Sequence, residues 1–224
     1  MKKFISKTFI ISLVAFMGLT LCMSGVSAKE ESRVTPEFVE YITDAFETKE
    51  KVTVTDNNGE DITDVFFEQT TTDYQNKDYL AIKEFVENNV DTICIDNSYT
   101  NNINSRSPFV DQVVNKRYYQ TIQKAQASGE VVYYIQGSLV WDRATGKITS
   151  VSKTTLDVTS INFGYQWQSS LYGISTSSSI TSDKYYAKFS VQFGIRTQFY
   201  QGYVLVFDVD CGKISKTATV SPEG

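Results

Sequence analysis

The sequence predicts an α+β protein that is mainly β: an antiparallel β-sandwich or flattened barrel, preceded by a small acidic helical segment. Three observations carry this. Apolar residues recur at helical spacing between residues 35 and 90, and with a period of two from residue 130 onward. The charge also reverses along the chain. Residues 29–96 hold six Lys and Arg against eighteen Asp and Glu, whereas residues 97–224 hold twelve against eight. Two segments of opposite sign either attract each other or meet different partners, unless acidic helices simply keep the chain soluble.

Residues 1–28 read as an export signal. Lys2, Lys3 and Lys7 supply a positive start, Phe9 to Met23 is mostly apolar, and Val26-Ser27-Ala28 offers a cleavage site after Ala28. The apolar run, about 15 residues, is short for a membrane span. Cys22 follows the large Leu21, which disfavours lipidation there. The lysine-rich start and long apolar region look like those of Gram-positive secretory signals. The expected location is therefore extracellular, with no transmembrane segment once the signal is removed.

The acidic segment, 29–96, begins with a helix. Thr35 is a capping hydroxyl, Pro36 suits the first helical position, and Glu37 suits the positive helix end. Phe38, Tyr41, Ile42, Ala45 and Phe46 form its apolar stripe. Lys51 to Thr55 alternates and meets Asp56-Asn57-Asn58-Gly59, a turn cluster, before Ile62, Val65 and Phe66 resume. This predicts a hairpin. Helical spacing returns over Asn76 to Val90, and Thr92 to Ile95 reads as a short strand.

The polar stretch 97–108 reads as a linker, with Arg106 as a protease-sensitive position. Residues 109–127 are expected to be a strand ending at a Ser128-Gly129 turn. The antiparallel β domain is assigned to 109–224. Ile161, Phe163, Tyr165 and Trp167 alternate with polar residues, as do Tyr185 through Ile195. Such alternation suits strands with one face on a core. The Ser/Thr-rich stretch 175–182 is expected to be the loop between them.

Residues 139–152, LVWDRATGKITSVS, align without a gap on residues 205–218, LVFDVDCGKISKTA. Both copies read as strand, Asp, loop, Gly-Lys-Ile, strand. Asp142 and Asp208 are thus expected to accept loop amides, with Gly146 and Gly212 closing bulged hairpins. Arg143 and Ala144 stand where the second copy has Val209 and Asp210, so paired carboxylates are not required and a metal site is not expected. Cys211 then falls at a loop tip. With Cys94 it permits one disulfide, worth about 4–5 kcal/mol in the chain-entropy account.

The chain contains no histidine. That removes the usual general base of hydrolases, the Ser-His and Cys-His pairs, and imidazole metal ligands. No phosphate-cradling glycine loop is present, and Ser150-Val151-Ser152-Lys153 lies in an alternating strand without the accompanying elements of penicillin-recognising enzymes. Asp56 to Phe67 lacks the glycine and glutamate positions of a helix–loop–helix calcium site. Tyr172, Tyr186 and Tyr200 are the candidate surface aromatic patch.

The expected function is that of a secreted, non-enzymatic extracellular or cell-surface binding or structural protein without a cofactor. Its expected partner is an anionic wall polymer, a lipid headgroup or another protein, and not a nucleic acid. One alternative is a membrane-active effector whose acidic pro-region is released near Arg106, with strands 160–168 and 183–195 as its amphipathic hairpin. A less favoured one is a carboxylate-based glycoside hydrolase.

Overall fold

Thr35 opens the first described helix: its hydroxyl accepts the Phe38 amide at 3.1 Å, with Pro36 in the first turn. This helix, α1 (Pro36–Glu47), buries Phe38, Tyr41, Ile42, Ala45 and Phe46. In the computed structural model, which describes residues 34–101 and 107–222, it is followed by a 3-10 turn and β1 (Val52–Thr55). Next come α2 (Thr63–Gln75), α3 (Tyr79–Asn89), β2 (Thr92–Asp96) and β3 (Tyr99–Asn101). The chain then enters long strands: β4 (Phe109–Lys124), β5 (Ala127–Asp142), β6 (Lys147–Val151), β7 (Thr155–Asn162), β8 (Trp167–Ile180), β9 (Ala187–Gln201) and β10 (Val204–Val220). The export signal with Ala28, and Arg106 in the polar stretch, lie outside the described residues.

Among the described residues the strands form two antiparallel sheets, neither a closed barrel. In the larger one β4 and β5 pair along their whole length, from Phe109 with Asp142 to Lys124 with Ala127. β2 and β3 lie end to end along the free edge of β4, and β6 and β7 along that of β5. The smaller sheet has the order β10-β9-β8.

Period-two alternation on β4 and β5 divides their side chains between two cores. Tyr118, Val131, Tyr133 and Ile135 face the small sheet and pack with Phe189, Val191, Phe193 and Ile195 of β9. Their neighbours Tyr119 and Val132 face the helices and pack with Phe38, Tyr41, Phe66, Ile82 and Val86. The result is three layers, helices on one face of the large sheet and the small sheet on the other.

This architecture corrects several expectations. The acidic segment is not separate from the β domain, since β2 pairs with β4 and residues from Val34 onward form one unit. The expected linker supplies β3, whose Tyr99 to Asn101 pair with Val113 to Asp111. The second arm of the expected 51–66 hairpin is α2 instead. Its Thr-rich sequence has little helical preference, but Phe46 stacks on Tyr74 at 4.0 Å and meets Phe67 edge-on at 5.2 Å. Packing, not propensity, holds that helix.

Three turns also move. The β4–β5 turn is Ala125-Gln126, while Gly129 lies within β5 beneath the Phe163 ring. The expected strand 160–168 breaks at Phe163–Gln166, so Tyr165 leaves the sheet. Residues 175–180 are strand: β8 runs to Ile180 because β9 offers it a continuous partner, and the connection is Thr181–Tyr186.

Candidate functional site

The two aligned copies, 139–152 and 205–218, fold differently. In the first, Asp142 ends β5 and its carboxylate accepts the amides of Ala144 (2.8 Å) and Thr145 (3.3 Å), with Gly146 at φ 66°. In the second, Asp208 and Gly212 are not turn residues but lie inside β10. β9 runs alongside without interruption, so the ladder continues where a loop was expected. Gly212, at φ 87°, closes a bulge between Asp210 and Gly212 that leaves Cys211 as the extra residue. Asp208 instead receives two hydrogen bonds from Arg196, at 2.6 and 2.7 Å, and one from Gln198 at 3.2 Å. The guanidinium holds its carboxyl below the ordinary range.

The actual β9–β10 turn is Gly202-Tyr203, with Gly202 at φ 63° and Gln201 paired to Val204. A glycine with positive φ at the first central position suits a two-residue hairpin loop. Beyond the Trp167–Phe199 pair β8 ends, so the last residues of β9 and the first of β10 continue as a two-stranded ribbon. A bulge at Val206 lies between the Leu205–Tyr200 and Phe207–Phe199 pairs.

This ribbon is apolar and uncovered. Tyr203 is fully exposed, Val204 is 66% exposed, and Leu205, Val206 and Phe207 each remain at least 40% exposed. Val204 and Leu205, paired with Gln201 and Tyr200 ahead of the bulge, point to opposite faces, so both faces of the ribbon present apolar groups. The β7–β8 loop lies at the same end and carries Tyr165, 76% exposed. A ladder of rings supports the ribbon base: Phe163 to Trp167 at 6.1 Å, Trp167 to Phe199 at 5.1 Å, Phe199 to Phe207 at 6.1 Å. No charged residue occurs in 197–207 or in 158–182.

The aromatic patch expected from Tyr172, Tyr186 and Tyr200 is not formed. Tyr186 precedes β9 and Tyr200 lies near its far end, about 45 Å along an extended strand. Tyr172 lays its ring over Gly194 and donates to Asp210 at 2.6 Å. Tyr200 donates to Gln198 at 3.0 Å. The exposed aromatics that do share one end, Tyr165, Tyr203 and Phe207, escaped the sequence reading. Its available signal was the charge-free run of 197–207 beside a glycine, but VLVF reads equally well as a buried strand.

The two cysteines that the sequence permits to pair, Cys94 and Cys211, are both free. Cys94 sits on β2 opposite Tyr118, and burial pushes its thiol up to about 11. Cys211 occupies the β10 bulge, half-buried, and its thiol is also raised by burial.

One buried polar cluster joins the layers. Lys83 of α3 meets the Glu130 carboxylate of β5 and the Tyr119 hydroxyl, which also donates to Glu130. Thr35 donates to the same carboxylate at 3.2 Å. Lys83 also lies 4.6 Å above the Phe38 ring. Nearby, Arg117 of β4 binds Asp44 at 2.7 Å and Glu40 at 3.4 Å while lying 4.9 Å from the Tyr41 ring. The Arg117 contacts pin acidic α1 onto β4, so part of the charge asymmetry is neutralised inside the molecule. Glu130 is thus held by Lys83, Tyr119 and Thr35.

Among the described residues no three His, Cys, Asp or Glu side chains converge as a metal site, and no helix is long and apolar enough to cross a membrane. No family model matches the chain, and no curated protein or solved structure resembles it significantly.

Proposed function

We propose that this is a secreted, non-enzymatic binding protein of the bacterial cell exterior that attaches through the uncharged ribbon at residues 199–207. The observation carrying this reading is the exposed run Tyr203–Phe207, since a contiguous apolar surface on a polar protein marks a contact site. The absence of histidine and of a nucleophile–base motif in the sequence favours binding over catalysis. The signal-like composition of residues 1–28 supports a contact outside the cell. The three-layer body serves as a rigid base, and the ring ladder beneath Phe199 and Phe207 fixes the ribbon's direction.

The test is retention on isolated Gram-positive cell envelopes. The full chain without its signal is mixed with envelopes, pelleted and quantified beside a Tyr203→Ser/Leu205→Ser variant. Retention of the parent and its loss in the variant, with unchanged circular dichroism, supports the reading. Equal retention of both refutes a role for the ribbon. The amphipathic-hairpin alternative is not favoured, because residues 160–168 span a loop and the Ser/Thr stretch is strand.

A further inference from the structure

We infer that the ribbon's partner is the surface of a lipid bilayer, into which residues 202–206 insert to a shallow depth. This rests on the binding reading and names its partner. A flat protein surface covers one face of a two-stranded ribbon. Here Val204 and Leu205, adjacent ahead of the bulge, are both exposed on opposite faces, so both faces need an apolar surrounding, which acyl chains supply. Tyr203 at the extremity and Tyr165 on the adjoining loop are exposed amphipathic rings of the kind that accumulate between headgroups and acyl chains.

Length fixes the mode of insertion. From the Phe199–Phe207 pair to the Gly202-Tyr203 turn is three residues, or about 10 Å. That reaches the depth of interfacial elements, about 5–10 Å, and falls far short of a hydrocarbon core of about 30 Å. The first charges behind the ribbon are Arg196 and Asp208, which neutralise each other. They mark the depth at which the polar body stays in water. Attachment is therefore driven by apolar burial and not by headgroup charge.

The experiment is flotation of the signal-free chain with phosphatidylcholine vesicles in 0.5 M salt, where headgroup attraction is screened. Parent protein is expected to float. Val204→Asp and Val206→Asp are each expected to lower bound protein about tenfold or more, since a carboxylate replaces an inserted apolar group. Ile174→Asp, an exposed apolar site on β8, is the control and is expected to float like the parent. Failure of the parent to float, or equal flotation of the ribbon variants, overturns the proposal. So does binding confined to anionic phosphatidylglycerol vesicles at low salt. If envelopes retain the protein through the ribbon while vesicles do not, the binding reading stands and the lipid assignment falls to a wall polymer or protein.

Discussion

Arg196 of β9 grips Asp208 of β10 through two hydrogen bonds, from Nε to Oδ1 at 2.6 Å and from Nη2 to Oδ2 at 2.7 Å. The pair closes the charged part of the small sheet, and every residue from Thr197 to Phe207 beyond it is uncharged. With β9 alongside, Asp208 has no loop to close, and its oxygens are taken across the ladder instead.

The pair sets a pH dependence. Since Arg196 makes the folded carboxyl more acidic, the contact favours the fold above the unfolded value of about 3.9 and is lost as pH falls through the lower folded one. In a carbon-13 titration Asp208 should titrate below the ordinary aspartate range. Arg196→Gln should move it back up.

The buried Lys83–Glu130 pair predicts an asymmetric mutational response. Glu130→Gln or Lys83→Met alone leaves a buried charge without its counter-charge and should cost about 3–5 kcal/mol in urea unfolding. The double replacement Lys83→Met/Glu130→Leu should cost clearly less than the sum. Additive losses would show that the two groups act independently.

Close packing makes Gly137 intolerant. A Cβ built there would lie 2.4 Å from the Phe189 ring, which is fully buried between the sheets. Gly137→Ala should destabilise by about 1–3 kcal/mol, measured by urea unfolding. Phe189→Leu in the same chain should recover part of that loss, because it removes the ring edge that the new methyl meets.

Thiol chemistry separates the cysteines. Both should be alkylated without prior reduction, and Cys211, in the half-buried bulge, should react before Cys94, whose thiol burial raises to about 11. Intact mass after brief iodoacetamide treatment should show one adduct, and a second after unfolding. An unlabelled chain that takes two labels only after reduction would mean a Cys94–Cys211 bridge.

Local chemistry was legible where a residue's own side chain closes a local hydrogen bond or a stripe has one period. Thr35-Pro36 marked the start of α1, and the stripe from Phe38 to Phe46 is its buried face. Asp56 accepts the amides of Asn58 and Glu60, making the expected turn. The glycines of the aligned copies were recognisable as positive-φ positions, since both take that conformation. Whether such a glycine closes a hairpin or a bulge was not recognisable. That depends on whether a partner strand lies alongside, which letters within the segment do not state.

The sequence by itself determined the mainly β class, the antiparallel alternation, the helix α1 and the chemistry withheld by the lack of histidine. These follow from residue type and period, both local properties. Only the tertiary structure decided that β2 joins β4, that α2 is a helix and that Tyr203–Phe207 is bare. Each depends on what lies across from a segment, and an apolar run reads the same in sequence whether a neighbouring layer covers it or solvent does.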